Sequence, residues 1–231
     1  MHSALPATCL SATCLSAACL PAACLLPAWA LLARDLSVSF HGRAVLVVAA
    51  FGAAPGEVWH VTGHNGAGKT TLLRALSGEL AHEGQVTVCG ARPGTVQARR
   101  ASLLVPTEAD LIPDLSVRET LQFMSAAWNR DAGPLLTLAH AFGLDPFLDA
   151  WPEELSRGTR QKVALSAALG LGLPLTLLDE PFATLDARSR TVLLDAVRER
   201  AQAGGAVIVT THGDELRGLS VRTLELGAMP A

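Results

Sequence analysis

The chain has 231 residues, of which half are hydrophobic and 17% charged, and its formal net charge is −3 at pH 7. That suits one domain with a sizeable core and a small inserted lobe, and it excludes a wholly disordered chain. The mildly acidic balance argues against a general nucleic-acid binder, which needs a basic face to displace counterions.

The first 30 residues stand apart from the rest. Cys9, Cys14, Cys19 and Cys24 recur every five residues, a step that rotates by about 140° on a helix and changes face on a strand, so the sulfurs line no single face. Neither a CxxC pair nor a Cys/His spacing suggests zinc. A secretory signal starts basic, and "MHSALPA" does not. Nothing charged precedes Arg34, yet Pro21 and Pro27 interrupt the run and argue against a membrane span. The expectation is a weakly structured leader over residues 1–30, with the domain occupying 31–231.

From Leu31 onward, "DLSVSF", "AVLVVAAF" and "EVWHV" read as short strands separated by the turns "HGR" and "APG". The third runs directly into Gly63, His64, Asn65, Gly66, Ala67, Gly68, Lys69 and Thr70, which fits GxxxxGK[ST], and then into a helix, "KTTLLRALSGEL", closed by Gly78. In such a loop the glycines let backbone N–H groups close around phosphate oxygens. Lys69 then neutralises β/γ charge and Thr70 offers a hydroxyl to magnesium. The plain alternative is a glycine-rich turn that binds nothing, but the strand before and the helix after are both present. Lys69 and Lys162 are the only lysines among otherwise arginine cations, so each invites a specific reason.

"GQVTVCG" reads as another short strand, with Cys89 a small core residue. Ser116 and Glu119 form a capping box that starts a helix at "VRETLQFMSAAW". The stretch from about residue 110 to 162 reads as the helical lobe. At its end, "LSRGTRQKVAL" puts Ser156 and Gly158 at a helix N-terminus with basic residues around it, the arrangement of an anion site. No phosphate loop adjoins it in its own lobe.

The runs "LPLTLLDE" and "GGAVIVTTH" flank the helix "ARSRTVLLDAVRERAQA", which is a parallel strand–helix–strand unit. The first ends on Asp179 and Glu180, at the sheet edge where open α/β folds bind ligands. Asp179 is the metal candidate and Glu180 the base that polarises the attacking water. An acidic helix cap is the plain alternative. His212 ends the second run at the same edge, where an imidazole reaches a γ-phosphate or the attacking water.

With these residues in place, the chain from about residue 31 onward resembles the ATP-binding cassette (ABC) family, the ATPase subunits of ABC transporters. "GHNGAGKTT", which includes Thr71, looks like the family's Walker A and "LTLLDE" like its Walker B; "ATLD" from Ala183 resembles its D-loop and His212 its switch histidine. "LSRGTRQK" is similar to the family's signature, with Ser156 and Gly158 matching, while Arg157 and Thr159 depart from its commonest form. The resemblance implies an α/β P-loop nucleotide hydrolase: a mostly parallel sheet core, an antiparallel β subdomain and a helical lobe. It also implies ATP and Mg2+ as cofactors, a second ATPase subunit packed head to tail so that each signature meets the partner's nucleotide, and a separate membrane permease. The chain would then be cytoplasmic and peripheral on the inner face of the membrane, and no nucleic acid is expected.

Phe40 falls where the family stacks an aromatic ring on adenine, although an aromatic before a turn serves a core equally well. Thr107 stands where the family places a metal-touching Gln. A hydroxyl is shorter than that amide, and the expectation is that it falls short unless a loop shift brings Glu108 in. The form "LSxGxRQK" and the short length resemble bacterial ABC-2 exporters, while "LLDEPFATLD" with "VTTH" is also similar to the haem-export ATPases of cytochrome c maturation. A soluble cassette ATPase acting on nucleic acid or ribosomes is the alternative from another class. A cassette that binds without hydrolysing is disfavoured by the presence of Glu180 and His212.

Overall fold

In the computed structural model, which describes residues 29–227, strand β1 (Leu31–Phe40) buries Leu31 and Ala33, then Leu36 and Val38. The change of parity falls at Asp35, whose φ of 51° puts a left-handed kink in the strand. Gly84 crosses that kink with a φ of 83°, and a Cβ there would lie 2.2 Å from the Asp35 carbonyl oxygen, so only glycine fits. β1 pairs antiparallel with β2 (Arg43–Ala53) and β4 (Glu83–Val88), giving a three-stranded sheet in the order β2-β1-β4. Ala30, assigned by sequence to the leader, already belongs to this sheet: its N–H donates to the Ala53 carbonyl at 3.0 Å and its carbonyl accepts from Cys89 N–H at 3.1 Å. Cys89 itself sits in a left-handed turn after β4, not within the strand. The leader cysteines lie outside the described residues.

The second sheet is parallel throughout. Strand β3 (Val58–Thr62) precedes helix α1 (Lys69–Ser77), helix α2 (Val96–Ala101) runs into β5 (Ser102–Val105), and β6 (Leu175–Asp179), helix α6 (Ala187–Gln202), β7 (Ala206–Thr210) and β8 (Val221–Glu225) complete it in the order β5-β6-β7-β3-β8. Adjacent residues of the central strands feed opposite cores, as a sheet covered on both faces requires. Leu175, Leu177 and Ile208 pack with α1 and the antiparallel sheet, while Leu178, Val207 and Val209 pack with the helical lobe and α6.

The lobe comprises α3 (Val117–Ala127), α4 (Gly133–Ala141), two short 3-10 turns and the start of α5 (Arg157–Gly170). The predicted capping box forms: Ser116 Oγ accepts from Glu119 N–H at 3.3 Å and the Glu119 carboxylate accepts from Ser116 N–H at 2.8 Å. α5 continues past residue 162 with Leu165, Ala167 and Leu169 buried, so one helix joins lobe to core. Among the described residues, no helix is long and apolar enough to cross a membrane.

Candidate active site

Four strands deliver the site. β3 ends at the phosphate loop, β5 at Pro106 and Thr107, β6 at Asp179 and Glu180, and β7 at Thr210 to His212, all at the carboxyl edge of one parallel sheet. The loop holds its path because Gly63 and Gly68 adopt φ values of 151° and 93°. A Cβ on Gly63 would come within 2.9 Å of both Ala67 Cβ and the Leu226 carbonyl oxygen. Gly66 is left-handed as well, at 82°, while Asn65 is exposed beside it. Gly68 caps α1 without a side-chain acceptor, so the helix's first N–H groups, from Lys69 through Thr70 and Thr71, are left for an external anion.

Lys69 is 7% exposed and donates to the Gly63 carbonyl at 3.0 Å. Among the described residues no carboxylate lies within ion-pair distance of it. A buried ammonium without a counter-charge is costly, and an arriving phosphate offsets that cost.

Asp179, 2% exposed, is ringed by hydroxyls. Oδ2 accepts from Thr70 at 2.8 Å and from Thr107 at 3.2 Å, and Oδ1 accepts from Thr210 at 2.7 Å. An oxygen-only donor set around one carboxylate, next to a phosphate loop, fits magnesium, which takes one or two carboxylates and completes its shell with phosphate and water. No cluster of three or more His, Cys, Asp or Glu exists among the described residues, so phosphate oxygens would have to contribute.

Glu180 follows with a φ of 47°, a strained conformation for a non-glycine residue, held by its N–H donating to Thr210 Oγ1 at 2.9 Å. Burial raises its carboxyl above the ordinary glutamate range, opposed by the charges of His212 and Lys69. His212 Nε2 lies 3.1 Å from Glu180 Oε1, close enough for charge attraction but not aligned as a hydrogen bond, so this buried oxygen has no hydrogen-bond partner. A base with an orphaned oxygen at the ligand edge is equipped to accept a proton from water.

At the lobe, Ser156 caps α5, its Oγ accepting from Thr159 N–H at 3.1 Å, and a Cβ on Gly158 would lie 2.8 Å from the Thr184 carbonyl oxygen. No hydrogen bond joins Ser156 or Gly158 to the phosphate loop among the described residues. Phe40 is 46% exposed at the end of β1, with its ring available for stacking. At the β5 end the Thr107 hydroxyl donates to Asp179 Oδ2, and Glu108 pairs with Arg157 of α5.

Three participants were not legible beforehand. Thr210 bonds both members of the acidic pair, Gln161 donates to the Pro106 carbonyl at 3.2 Å, and Lys162 pairs with Asp186 at 2.9 Å. Lys162 first, then the Ser189 N–H, hold the Asp186 carboxyl far below its usual range. The second lysine thus ties α5 to the cap of α6. The repeated Thr before His212 was the one available signal for Thr210.

The family model described as "ABC transporter" matches residues 48–183. The chain belongs to the ABC transporter family. It is 35% identical over 199 residues to the cytochrome c biogenesis ATP-binding export protein CcmA of Rhodopseudomonas palustris (strain BisB5), covering 86% of this chain and 98% of that protein. It is also 35% identical to the hemin import ATP-binding protein HmuV of Mesorhizobium japonicum, covering 78% of this chain and 75% of that one. Among solved structures, an ATP binding subunit of an ABC transporter superposes with a TM-score of 0.75 at 30% identity, covering 79% of each chain. A putative ABC transporter ATP-binding protein from Pyrococcus furiosus gives 0.71 at 26% identity, covering 85% of this chain and 96% of that one. The fold is accordingly that of the ABC ATPases, and the chain is an ATP-binding and ATP-hydrolysing subunit of an ABC transporter.

Proposed function

We propose that two such subunits pack head to tail, with each ATP and its Mg2+ held by the phosphate loop of one chain and the Ser156–Gly158 turn of the other. The observation that carries this reading is the pair of half-sites among the described residues: a buried Lys69 with no ion-pair partner in the core and a helix start at α5 with no acidic residue in its first turn, with no hydrogen bond between them in one chain. Lys69 and the N–H groups of the loop bind the β- and γ-phosphates. Thr70, Asp179 and Thr107 hold the magnesium, which supplies charge neutralisation to the leaving phosphates. Glu180 takes the proton of the attacking water, and His212 orients it beside the γ-phosphate. Phe40 stacks on the adenine.

A separate membrane permease carries the cargo and holds this subunit on the cytoplasmic face. Export is the favoured direction, because the relatives matched over nearly their full length are named export proteins, whereas the import relatives extend beyond the match. Glu180→Gln removes the base and keeps the binding groups. With ATP and magnesium it should therefore elute as a stable dimer in gel filtration, and a strictly monomeric elution would contradict the head-to-tail reading.

A further inference from the structure

Thr107 after β5 and Arg157 at the start of α5 both depart from the family pattern, and Glu108, next to the first, is bonded to the second. Three consecutive residues are involved. The Pro106 carbonyl accepts from Gln161 Nε2 at 3.2 Å, the Thr107 hydroxyl donates to Asp179 Oδ2 at 3.2 Å, and the Glu108 carboxylate pairs with the Arg157 guanidinium. Arg157 and Gln161 are four residues apart on α5, hence on one helical face, and they grip the segment on either side of Thr107. The two contacts differ in weight. The Glu108–Arg157 pair is solvent-exposed and weak by itself, whereas Gln161 is 1% exposed, and its amide has to be satisfied in place.

We propose that Gln161 and Arg157 are positioning residues for the metal end of the site. From the signature helix they hold residues 106–108 so that the short side chain of Thr107 stays on Asp179. The short side chain at 107 is compensated by drawing the loop in, and the helix whose N-terminus meets the partner's phosphate is the element that draws it. Magnesium use in one chain thereby depends on the position of α5. The inference rests on the reading of Asp179 and Thr107 as magnesium ligands.

The test is binding of a fluorescent ATP analogue to the full chain, titrated with magnesium chloride and repeated in excess EDTA. The variants are Gln161→Met, which keeps the volume and removes the donor, Glu108→Arg, Arg157→Glu and the exchange of both charges. Asp179→Asn is the control for the metal reading. Gln161→Met should raise the magnesium midpoint about five-fold, the scale of one lost hydrogen bond, while affinity in EDTA stays unchanged. Glu108→Arg and Arg157→Glu should raise it less, and the double exchange should restore it. The exposed pair leaves the fold intact, so these variants remain informative even where Gln161→Met is poorly folded. A normal magnesium midpoint in all the loop and helix variants, with Asp179→Asn shifted, overturns the positioning role alone. A normal midpoint in Asp179→Asn as well overturns the metal reading together with it.

Discussion

Lys69 is nearly enclosed, and its one hydrogen bond among the described residues goes to the Gly63 carbonyl, so it has no ion-pair partner until phosphate arrives. Lys69→Met keeps the aliphatic bulk and removes the charge. Losing a charge-assisted bond to phosphate should weaken ATP binding by about ten- to a hundred-fold, while the melting temperature without nucleotide holds or rises, because a buried cation has gone. Calorimetry with and without ATP separates the two effects. Glu180 poses the same question with the opposite charge. Its carboxyl is raised by burial above the ordinary value of 4.5, so the folded state binds the proton more tightly than the unfolded one. Stability is then fully present below that value and falls as pH rises through the window above it. Glu180→Gln, which cannot ionise, should melt higher than the wild type at neutral pH. The difference should vanish in melts run below pH 4.5, and an equal gap at both ends would show that burial of the charge is not the cause.

Residues contiguous in sequence were readable as chemistry. The phosphate loop announces itself because its left-handed turns restrict the residue types allowed to glycine, and the acidic pair because two carboxylates end a fully apolar strand. Thr210, Gln161 and the Lys162–Asp186 pair were not readable, since each acts on a partner 24 to 55 positions away that folding alone brings near. The bond of Thr107 to Asp179 was hidden for the same reason, since the two lie 72 positions apart.

Among the elements, α3 was the most legible because its start is chemically specified. Ser116 and Glu119 satisfy two helix-end N–H groups reciprocally, and Ser116→Ala should cost about 1 kcal/mol. For a domain of this size that corresponds to a fall of about 2–4 °C in melting temperature, with ATP affinity unchanged. A normal melting temperature would mean that packing of Leu121 and Val117 alone fixes the helix start. β5 and β8 went unread for contrasting reasons. β5 has four residues, too few for a period to emerge, and β8 is an edge strand whose burial alternates weakly. α5 runs on past residue 162, where the lobe was expected to end, and its later turns pack under the sheet.

At the scale of the whole molecule, the antiparallel sheet presses β2 against the phosphate loop, since a Cβ on Gly68 would sit 3.3 Å from both Leu46 Cδ1 and the Val45 carbonyl oxygen. The helical lobe meanwhile carries the signature turn on a helix rooted in the core. The division into a phosphate-binding half and a phosphate-receiving half makes sense for a composite site between two chains. Complementation tests that claim most directly. Lys69→Met disables the loop and leaves the signature intact, while Ser156→Arg blocks the signature at an exposed position and leaves the loop intact. A mixed dimer of the two contains one undamaged site if the halves meet across chains, and none if each chain works alone. Steady-state ATP turnover of the mixture, with magnesium, should exceed the sum of the two variants measured separately. A mixture no more active than that sum would contradict the composite site.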